Sequence, residues 1–172
     1  IVNQTPIADA GMDQRICLGS TANLKASGGI NYLWSNGEKT ADITVSPTSN
    51  TKYYVTVSNG NCSNVDSVQV SINALPIANA GTDQTICKGT STQLVATGGT
   101  NYKWSDGNTS NPITISPTIT TTYIVTVTDL VGCSAIDSVK ITVNNLPPAN
   151  AGADQIICKG ATLKLTASGG TN

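Results

Sequence analysis

The chain contains no histidine and no phenylalanine, and only 11% of its 172 residues are charged. Without histidine, the Ser-His-Asp and Cys-His arrangements of nucleophilic catalysis are excluded, and so is a His-ligated zinc site. A net charge of −1 without a basic patch argues against a nucleic-acid partner, and no basic amphipathic segment indicates a membrane surface. The longest apolar runs are too short for membrane insertion across a bilayer.

The common catalytic motifs are missing as well. The sequence has no CxxC, no HExxH and no glycine-rich loop of the phosphate-binding kind, and its Gly-Gly pairs are predicted turns. Glu38 is the only glutamate and has no counterpart in the second repeat described below, so no carboxylate pair for glycoside hydrolysis is indicated. We therefore predict that the chain is not an enzyme and has no catalytic or cofactor-binding residues.

The sequence does contain an internal repeat. The segments PIADAGMDQRICLG, PIANAGTDQTICKG and PANAGADQIICKG carry Cys17, Cys87 and Cys158, which are 70 and 71 residues apart. A period of that length is typical of a small domain rather than of a solenoid turn, and we interpret the chain as part of a longer array. The predicted boundaries are the end of a preceding repeat at 1–4, repeat 1 at 5–74, repeat 2 at 75–145, and the N-terminal part of a third repeat at 146–172.

Each repeat has the pattern of an all-β domain. In repeat 2 we predict strands at 92–97, 101–105, 113–115, 123–127 and 138–143, separated by turns such as Gly98-Gly99 and Asp106-Gly107. Alternation directs Val125 and Val127 inward and Ile124 outward. About seven short strands indicate a β-sandwich. Short proline-containing joints predict that successive sandwiches stack end to end as a semi-rigid rod.

Five cysteines at fixed repeat positions indicate disulfides and an oxidising compartment. Pairing within repeats would join Cys17 to Cys62 and Cys87 to Cys133. In an Ig-type strand order, however, these pairs lie at opposite ends of the domain, roughly 25 Å apart, whereas a disulfide needs Cα atoms within about 7 Å. Pairing between repeats would join Cys17 to Cys133, with Cys87 bonding beyond the chain and Cys62 bonding to the preceding repeat. Both pairings, and free thiols, stay open.

The combined pattern PxAxAGxDQxICxG, YxWSxG, TTYxVTVTD and DSVxITV resembles the Ig-like and PKD-like repeats of Bacteroidota surface proteins. These repeats occur in very large adhesins exported by type IX secretion, including the SprB-type gliding-motility adhesins. The resemblance covers the whole chain and implies tandem Ig-like or PKD-like β-sandwiches at a bacterial cell surface or outside the cell. Asp66-Ser67-Val68 and Asp137-Ser138-Val139 also resemble the Bacteroidota O-glycosylation sequon, which implies glycans on the two serines.

The aromatic residues have two interpretations. Trp34 and Trp104 are predicted core residues, as is common for strand C of Ig-like sandwiches, and Tyr53 and Tyr123 resemble tyrosine-corner residues. If the aromatic side chains were exposed instead, they could stack on sugars. The residues concerned in that second interpretation are Tyr32, Tyr54, Tyr102, Trp34 and Trp104.

Aspartate also recurs at fixed positions of the repeat. One set lies in the AGxDQ motif and the other before the last strand, and we interpret both as turn or capping residues. The alternative is a weak calcium site at each domain joint, since calcium takes six to eight oxygen ligands. No other metal site is indicated. These residues are Asp13, Asp83, Asp154, Asp66 and Asp137.

Together these features predict a structural stalk or filament segment of a large repetitive bacterial cell-surface adhesin, which gives reach and mechanical stiffness in adhesion or gliding. The expected partners are neighbouring repeats of the same chain, laterally associated copies, and a surface polysaccharide or substratum contacted elsewhere in the protein. The alternative function is a carbohydrate-binding accessory module of a secreted polysaccharide-degrading enzyme.

Overall fold

The computed structural model describes residues 4–170, and the predicted repeat end at residues 1–3 and the last two residues lie outside this range. The described residues form twelve strands and no helix, as the alternating patterns predict. Contacts between Cα atoms divide the chain into two compact units. Within the described range, the first is 4–77 with 98–101 and 127–135, and the second is 78–97 with 102–126 and 136–170.

Repeat 1 contains six strands in two sheets. The larger sheet has the order β1-β6-β5-β3, and the smaller one pairs β2 with β4. The first strand runs parallel to the last, with Gln14 opposite Val70 and Cys17 opposite Asn73. The strands are β1 (Gln14–Cys17), β2 (Ala22–Lys25), β3 (Asn31–Trp34), β4 (Asp42–Val45), β5 (Thr51–Ser58) and β6 (Ser63–Asn73).

Repeat 2 has the same topology. Its larger sheet has the order β7-β12-β11-β9, its smaller one pairs β10 with β8, and β7 runs parallel to β12. The strands are β7 (Gln84–Cys87), β8 (Thr92–Leu94), β9 (Asn101–Trp104), β10 (Ile113–Ile115), β11 (Thr121–Thr128) and β12 (Ser134–Asn144).

This strand order confirms the predicted Ig-like β-sandwich. In Ig nomenclature β3, β5 and β6 are strands C, F and G of one sheet, and β2 and β4 are strands B and E of the other. Strand A is reduced to a single bridge between Asp9 and Ser27, and only the segment 35–41 separates strand C from strand E, which leaves no room for a strand D. Each described sandwich therefore has six strands instead of the expected seven.

The core consists of the inward-pointing residues that alternation predicts. Val55 and Val57 of β5 and Val68 and Val70 of β6 are fully buried, and they pack with Trp34. Repeat 2 buries the corresponding side chains, which are Trp104, Val125, Val127, Val139 and Ile141. Burial of an aliphatic side chain contributes about 1.5–3 kcal/mol, so these valines account for much of the stability of each sandwich.

The Gly-Gly turn after β2 is dictated by close backbone approach. Gly28 has a φ of 102°, and a Cβ atom there would lie 1.7 Å from the carbonyl oxygen of Ile7. A Cβ at Gly29 would lie 2.4 Å from a methyl group of Val57. No other residue type fits this turn without moving the chain.

The strands differ from the predicted ones at two places, and the structure shows the cause of the first. β8 ends at Leu94 rather than at Thr97, because the Asn111 side chain takes over the pairing there. Its Oδ1 accepts the Ala96 N–H at 2.8 Å, and its Nδ2 donates to the Ala96 carbonyl at 2.7 Å. β12 begins at Ser134, four residues before the predicted start, and β6 has the same length.

Candidate functional site: a disulfide between the two repeats

Cys17 is the last residue of β1 and is fixed on both sides. It lies opposite Asn73, the last residue of β6, in the parallel pair. The Leu18 N–H donates to the Asn73 carbonyl at 2.9 Å, and the Ser20 N–H donates to the Cys17 carbonyl at 2.9 Å. The half-buried Cys17 is therefore held between a strand pair and a tight turn.

Cys133 directly precedes β12 and is fully buried. Its N–H donates to Oδ1 of Asp129 at 2.9 Å, and its carbonyl accepts the Asp129 N–H at 2.9 Å. The same carboxylate oxygen accepts the Val131 N–H at 3.0 Å. Asp129 thus closes the loop before β12 and sets the position of the cysteine, a role that the sequence pattern did not reveal.

A disulfide joins Cys17 to Cys133, with the Cα atoms 5.5 Å apart. Both residues belong to the first compact unit, because that unit takes in residues 127–135 of repeat 2. The bond therefore connects successive repeats, over a sequence separation of 116 residues.

The structure does not bring the alternative pairs within repeats together, because the two cysteines of each pair lie beside opposite ends of one long strand. Cys17 is opposite the last residue of β6, whereas Cys62 precedes its first residue. Eleven residues at about 3.3 Å each separate the two positions by about 36 Å. β12 separates Cys133 from the residue opposite Cys87 in the same way.

Cys87 occupies in repeat 2 the position that Cys17 occupies in repeat 1. It ends β7 opposite Asn144, and the Lys88 N–H donates to the Asn144 carbonyl at 2.8 Å. Its thiol is free and exposed, as is that of Cys158, whereas Cys62 is half-buried. The surroundings that position Cys17 for its bond are thus repeated at Cys87.

The recurring aspartates accept backbone hydrogen bonds, as the capping interpretation predicts. Asp13 accepts the Gln69 N–H, and Asp83 accepts the Lys140 N–H, both at 2.8 Å. Asp66 accepts the Ala10 N–H at 2.8 Å, where the chain passes from the strand A bridge to β1. Among residues 4–170, no group of three or more His, Cys, Asp or Glu side chains is placed to hold a metal ion.

These backbone contacts also lower the pKa of two carboxyl groups. The Ala10 N–H, and after it the Ser67 N–H, hold the pKa of Asp66 below its usual value. In repeat 2 the Ala80 and Ser138 N–H groups do the same for the pKa of Asp137. Asp66 and Asp137 lie inside the last strands rather than before them. Ser67 is half-buried and Ser138 is exposed, and each is the fifth residue of its strand.

The aromatic residues lie mainly in the cores. Trp34 and Trp104 are each 1% exposed, so neither ring offers a face to a sugar. Tyr53 and Tyr123 are half-buried, and burial, followed by the charge of Asp106, raises the pKa of Tyr123. Tyr32 and Tyr102 are half-buried as well.

Tyr54 is the aromatic residue on the outer sheet face, at 49% exposure, and the equivalent position of repeat 2 holds Ile124. An aromatic platform shared by both repeats is therefore absent from the described residues.

An open hollow of about 500 Å³ lies beside Cys133, between 98–100 and 129–131. Its charged group is Asp129, whose carboxylate already accepts backbone N–H groups.

No helix long and apolar enough to span a membrane occurs in the described part of the chain.

No protein-family profile matches the chain, and no curated protein matches it. It is similar to the titin domains Z1Z2 solved with telethonin, at 19% identity over 85% of this chain and 100% of that one, with a TM-score of 0.37. It is also similar to the insect immune protein hemolin, at 15% identity, 81% and 47% coverage and a TM-score of 0.41. The N-terminal Ig1-2 module of Drosophila DLAR has 12% identity, 82% and 100% coverage and a TM-score of 0.35. At these scores the Ig-like assignment depends on the strand order described above.

Proposed function

We propose that the chain is a structural stalk segment of a large repetitive adhesin on a bacterial cell surface. The observation that carries this proposal is the disulfide from Cys17 to Cys133, because it ties successive repeats together and so limits their separation. The sequence resemblance to type IX-secreted adhesins, including those of gliding motility, supports the bacterial surface. A stable disulfide also fits an oxidising, extracellular location.

The joint between the repeats supports a stiff connection. β6 ends at Asn73, and the tetrapeptide Ala74-Leu75-Pro76-Ile77 leads into the second compact unit. Proline fixes φ and removes a backbone donor, which reduces the freedom of so short a joint. A joint of this kind, in addition to the disulfide, favours a semi-rigid rod over beads on a flexible string.

The repeated environment of Cys87 extends the proposal along the array. We expect Cys87 to bond to the cysteine before the last strand of a following repeat, as Cys17 bonds to Cys133. In that step two thiols lose two protons and two electrons to a small-molecule disulfide such as oxidised glutathione. Each joint of the array would then carry one disulfide.

Electron microscopy of the parent protein tests the stalk. One long strand spans about 36 Å, so repeats joined end to end should add roughly that rise each, with a narrow distribution of angles between neighbours. Addition of a reductant should broaden this distribution. Repeats that tumble independently before reduction would contradict the proposal.

The surface location needs a separate experiment, which is antibody labelling of intact cells. Antibodies raised against the repeats should label cells without permeabilisation, and treatment of intact cells with a protease should remove the signal. Labelling that appears only after permeabilisation would place the repeats inside the cell and contradict the proposed location.

We also propose O-linked glycans at Ser67 and Ser138, on the resemblance of their tripeptides to the sequon. The outward position of Ser138 supports modification there, whereas Ser67 is half-buried beside Tyr54 of the neighbouring strand. The test is the mass of the two peptides from the native protein, with Ser138→Ala as the matched variant. Unmodified masses for both peptides would reject the proposal.

A further inference from the structure

We infer that the Cys17–Cys133 disulfide removes the chain between the two cysteines, a sequence separation of 116, from the load path, so that the oxidised chain is far less extensible than the reduced chain. The biological use of this low extensibility depends on the proposed stalk function. The low extensibility itself depends only on which two cysteines are bonded. When the chain ends are pulled apart, tension follows the shortest covalent route. That route enters along β1, crosses the disulfide and leaves along β12.

The two strands on this route have almost no slack. β1 ends at Cys17, and β12 begins at the residue after Cys133. A β-strand already rises about 3.3 Å per residue, close to the maximum of about 3.3–3.6 Å for a fully extended chain. Tension therefore passes through the pair of repeats without first breaking the hydrogen bonds of either sandwich.

The length of chain that the disulfide removes from the load path is large compared with the length of the whole chain. At about 3.5 Å per residue, the span of 116 residues corresponds to about 400 Å, and the 172 residues together correspond to about 600 Å. The span includes β2 to β6 of repeat 1 and β7 to β11 of repeat 2. Even complete unfolding of the oxidised chain therefore leaves only about one third of its contour length in the load path.

Reduction transfers the load to the sandwiches themselves. Tension then enters repeat 1 at the start of β1 and leaves at the end of β6, and these neighbouring strands are parallel. Their four residue pairs, from Gln14–Val70 to Cys17–Asn73, are loaded together in shear. β7 and β12 form the same arrangement in repeat 2. Each repeat should then yield in one event that releases about 200 Å, because about 60 residues extend from a folded separation of about 10 Å.

The accessible sulfur of the disulfide is that of Cys17. Cys133 is fully buried and Cys17 is half-buried, so an attacking thiolate reaches the Cys17 sulfur more easily. The S–S bond breaks, the Cys133 thiolate leaves and takes up a proton, and a mixed disulfide forms on Cys17. With a dithiol reductant, the second thiol displaces Cys17 and the reductant leaves as a cyclic disulfide. One dithiol is oxidised for each cystine reduced.

Single-molecule force spectroscopy of the whole chain, tethered at both ends through cysteine-free tags, tests this inference. Without reductant, the total contour-length gain should be more than three times smaller than with dithiothreitol, because the same folded length is subtracted from about 200 Å and from about 600 Å. Cys87→Ser leaves the disulfide intact and should match the oxidised wild type. Cys17→Ser should match the reduced wild type in both conditions.

Two steps of about 200 Å in the oxidised wild-type chain would overturn the inference. If Cys17→Ser fails to fold, the wild type with and without dithiothreitol still decides the question. The outcome is distinguishable from a failure of the stalk proposal, because contour length reports on covalent connectivity and microscopy reports on stiffness.

Discussion

The substitution Cys17→Ser should destabilise the protein, whereas Cys87→Ser should not. The two cysteines end equivalent strands, β1 and β7, opposite Asn73 and Asn144. Only Cys17 is bonded, and the thiol of Cys87 is exposed. Comparison of the two variants therefore isolates the effect of the disulfide from the effect of changing a cysteine at this position of the repeat.

The magnitude follows from the size of the closed loop. In the chain-entropy account, a loop of 116 residues corresponds to about 5 kcal/mol of stabilisation at 25 °C. If repeat 1 unfolds while repeat 2 stays folded, the closed loop is shorter and the value is about 4 kcal/mol. Loss of a native disulfide typically costs about 2–5 kcal/mol, so we expect a loss in that range for Cys17→Ser. An exposed substitution such as Cys87→Ser is expected to stay within about 0.5 kcal/mol.

The assay is urea denaturation followed by the fluorescence of Trp34 and Trp104, which report on the two cores. The free energy of unfolding is measured for the wild type and both variants, with and without a reductant. The reductant should lower the free energy of unfolding of the wild type and of Cys87→Ser to that of Cys17→Ser. It should leave the free energy of unfolding of Cys17→Ser unchanged. Equal stability of the two variants without reductant would refute the reasoning.

Three further predictions concern individual hydrogen bonds. Trp34→Phe should lower the free energy of unfolding in urea by about 1–3 kcal/mol more than Trp104→Phe does. The reason is that the Trp34 Nε1 donates to the Thr40 carbonyl at 3.0 Å, whereas the buried Trp104 Nε1 has no partner among the described residues. Equal losses for the two variants would contradict this. Asn111→Ala should cost about 1–3 kcal/mol, because both polar groups of Ala96 lose their partner. Asn111→Asp should cost at least as much, because its carboxylate still accepts the Ala96 N–H but places a second, charged oxygen against the Ala96 carbonyl; a clearly smaller loss for Asn111→Asp in thermal melting would contradict the assigned bonds. Because the folded pKa of Asp66 is lowered, its contribution to stability is present above the unfolded pKa near 3.9 and is lost as the pH falls through the folded value. Asp66→Asn should therefore flatten the dependence of the urea midpoint on pH below about pH 4, and an unchanged slope would exclude this role.

The inward faces of the long strands were predictable because burial imposes a period of two. Val55, Val57, Val125 and Val127 alternate with polar or half-exposed neighbours, and the structure buries all four. The tryptophans of β3 and β9 follow the same rule. The six-strand architecture was less predictable, since the reduction of strand A to one bridge depends on contacts such as that of Ala10 with Asp66.

β1 and β7 had no recognisable pattern in the sequence. Their segments QRIC and QTIC are too short for alternation, and they form strands because Asp13 and Asp83 hold the start of the parallel pairing with β6 and β12. Cysteine spacing also leaves connectivity open. The pairing of Cys17 with Cys133 could be told from the pairing within repeats only once the length of β6 was known. That length was not evident in the sequence, because the first two residues of β6 are polar and exposed. Asn111 was missed because its role depends on a side chain that replaces backbone pairing.

The most direct test of the account is a peptide map of the native protein, digested without reduction and with free thiols alkylated. A linked pair that contains Cys17 and Cys133 is expected in this map, and it should disappear after reduction. A linked pair that contains Cys17 and Cys62 would contradict the connection between repeats, and with it the stalk.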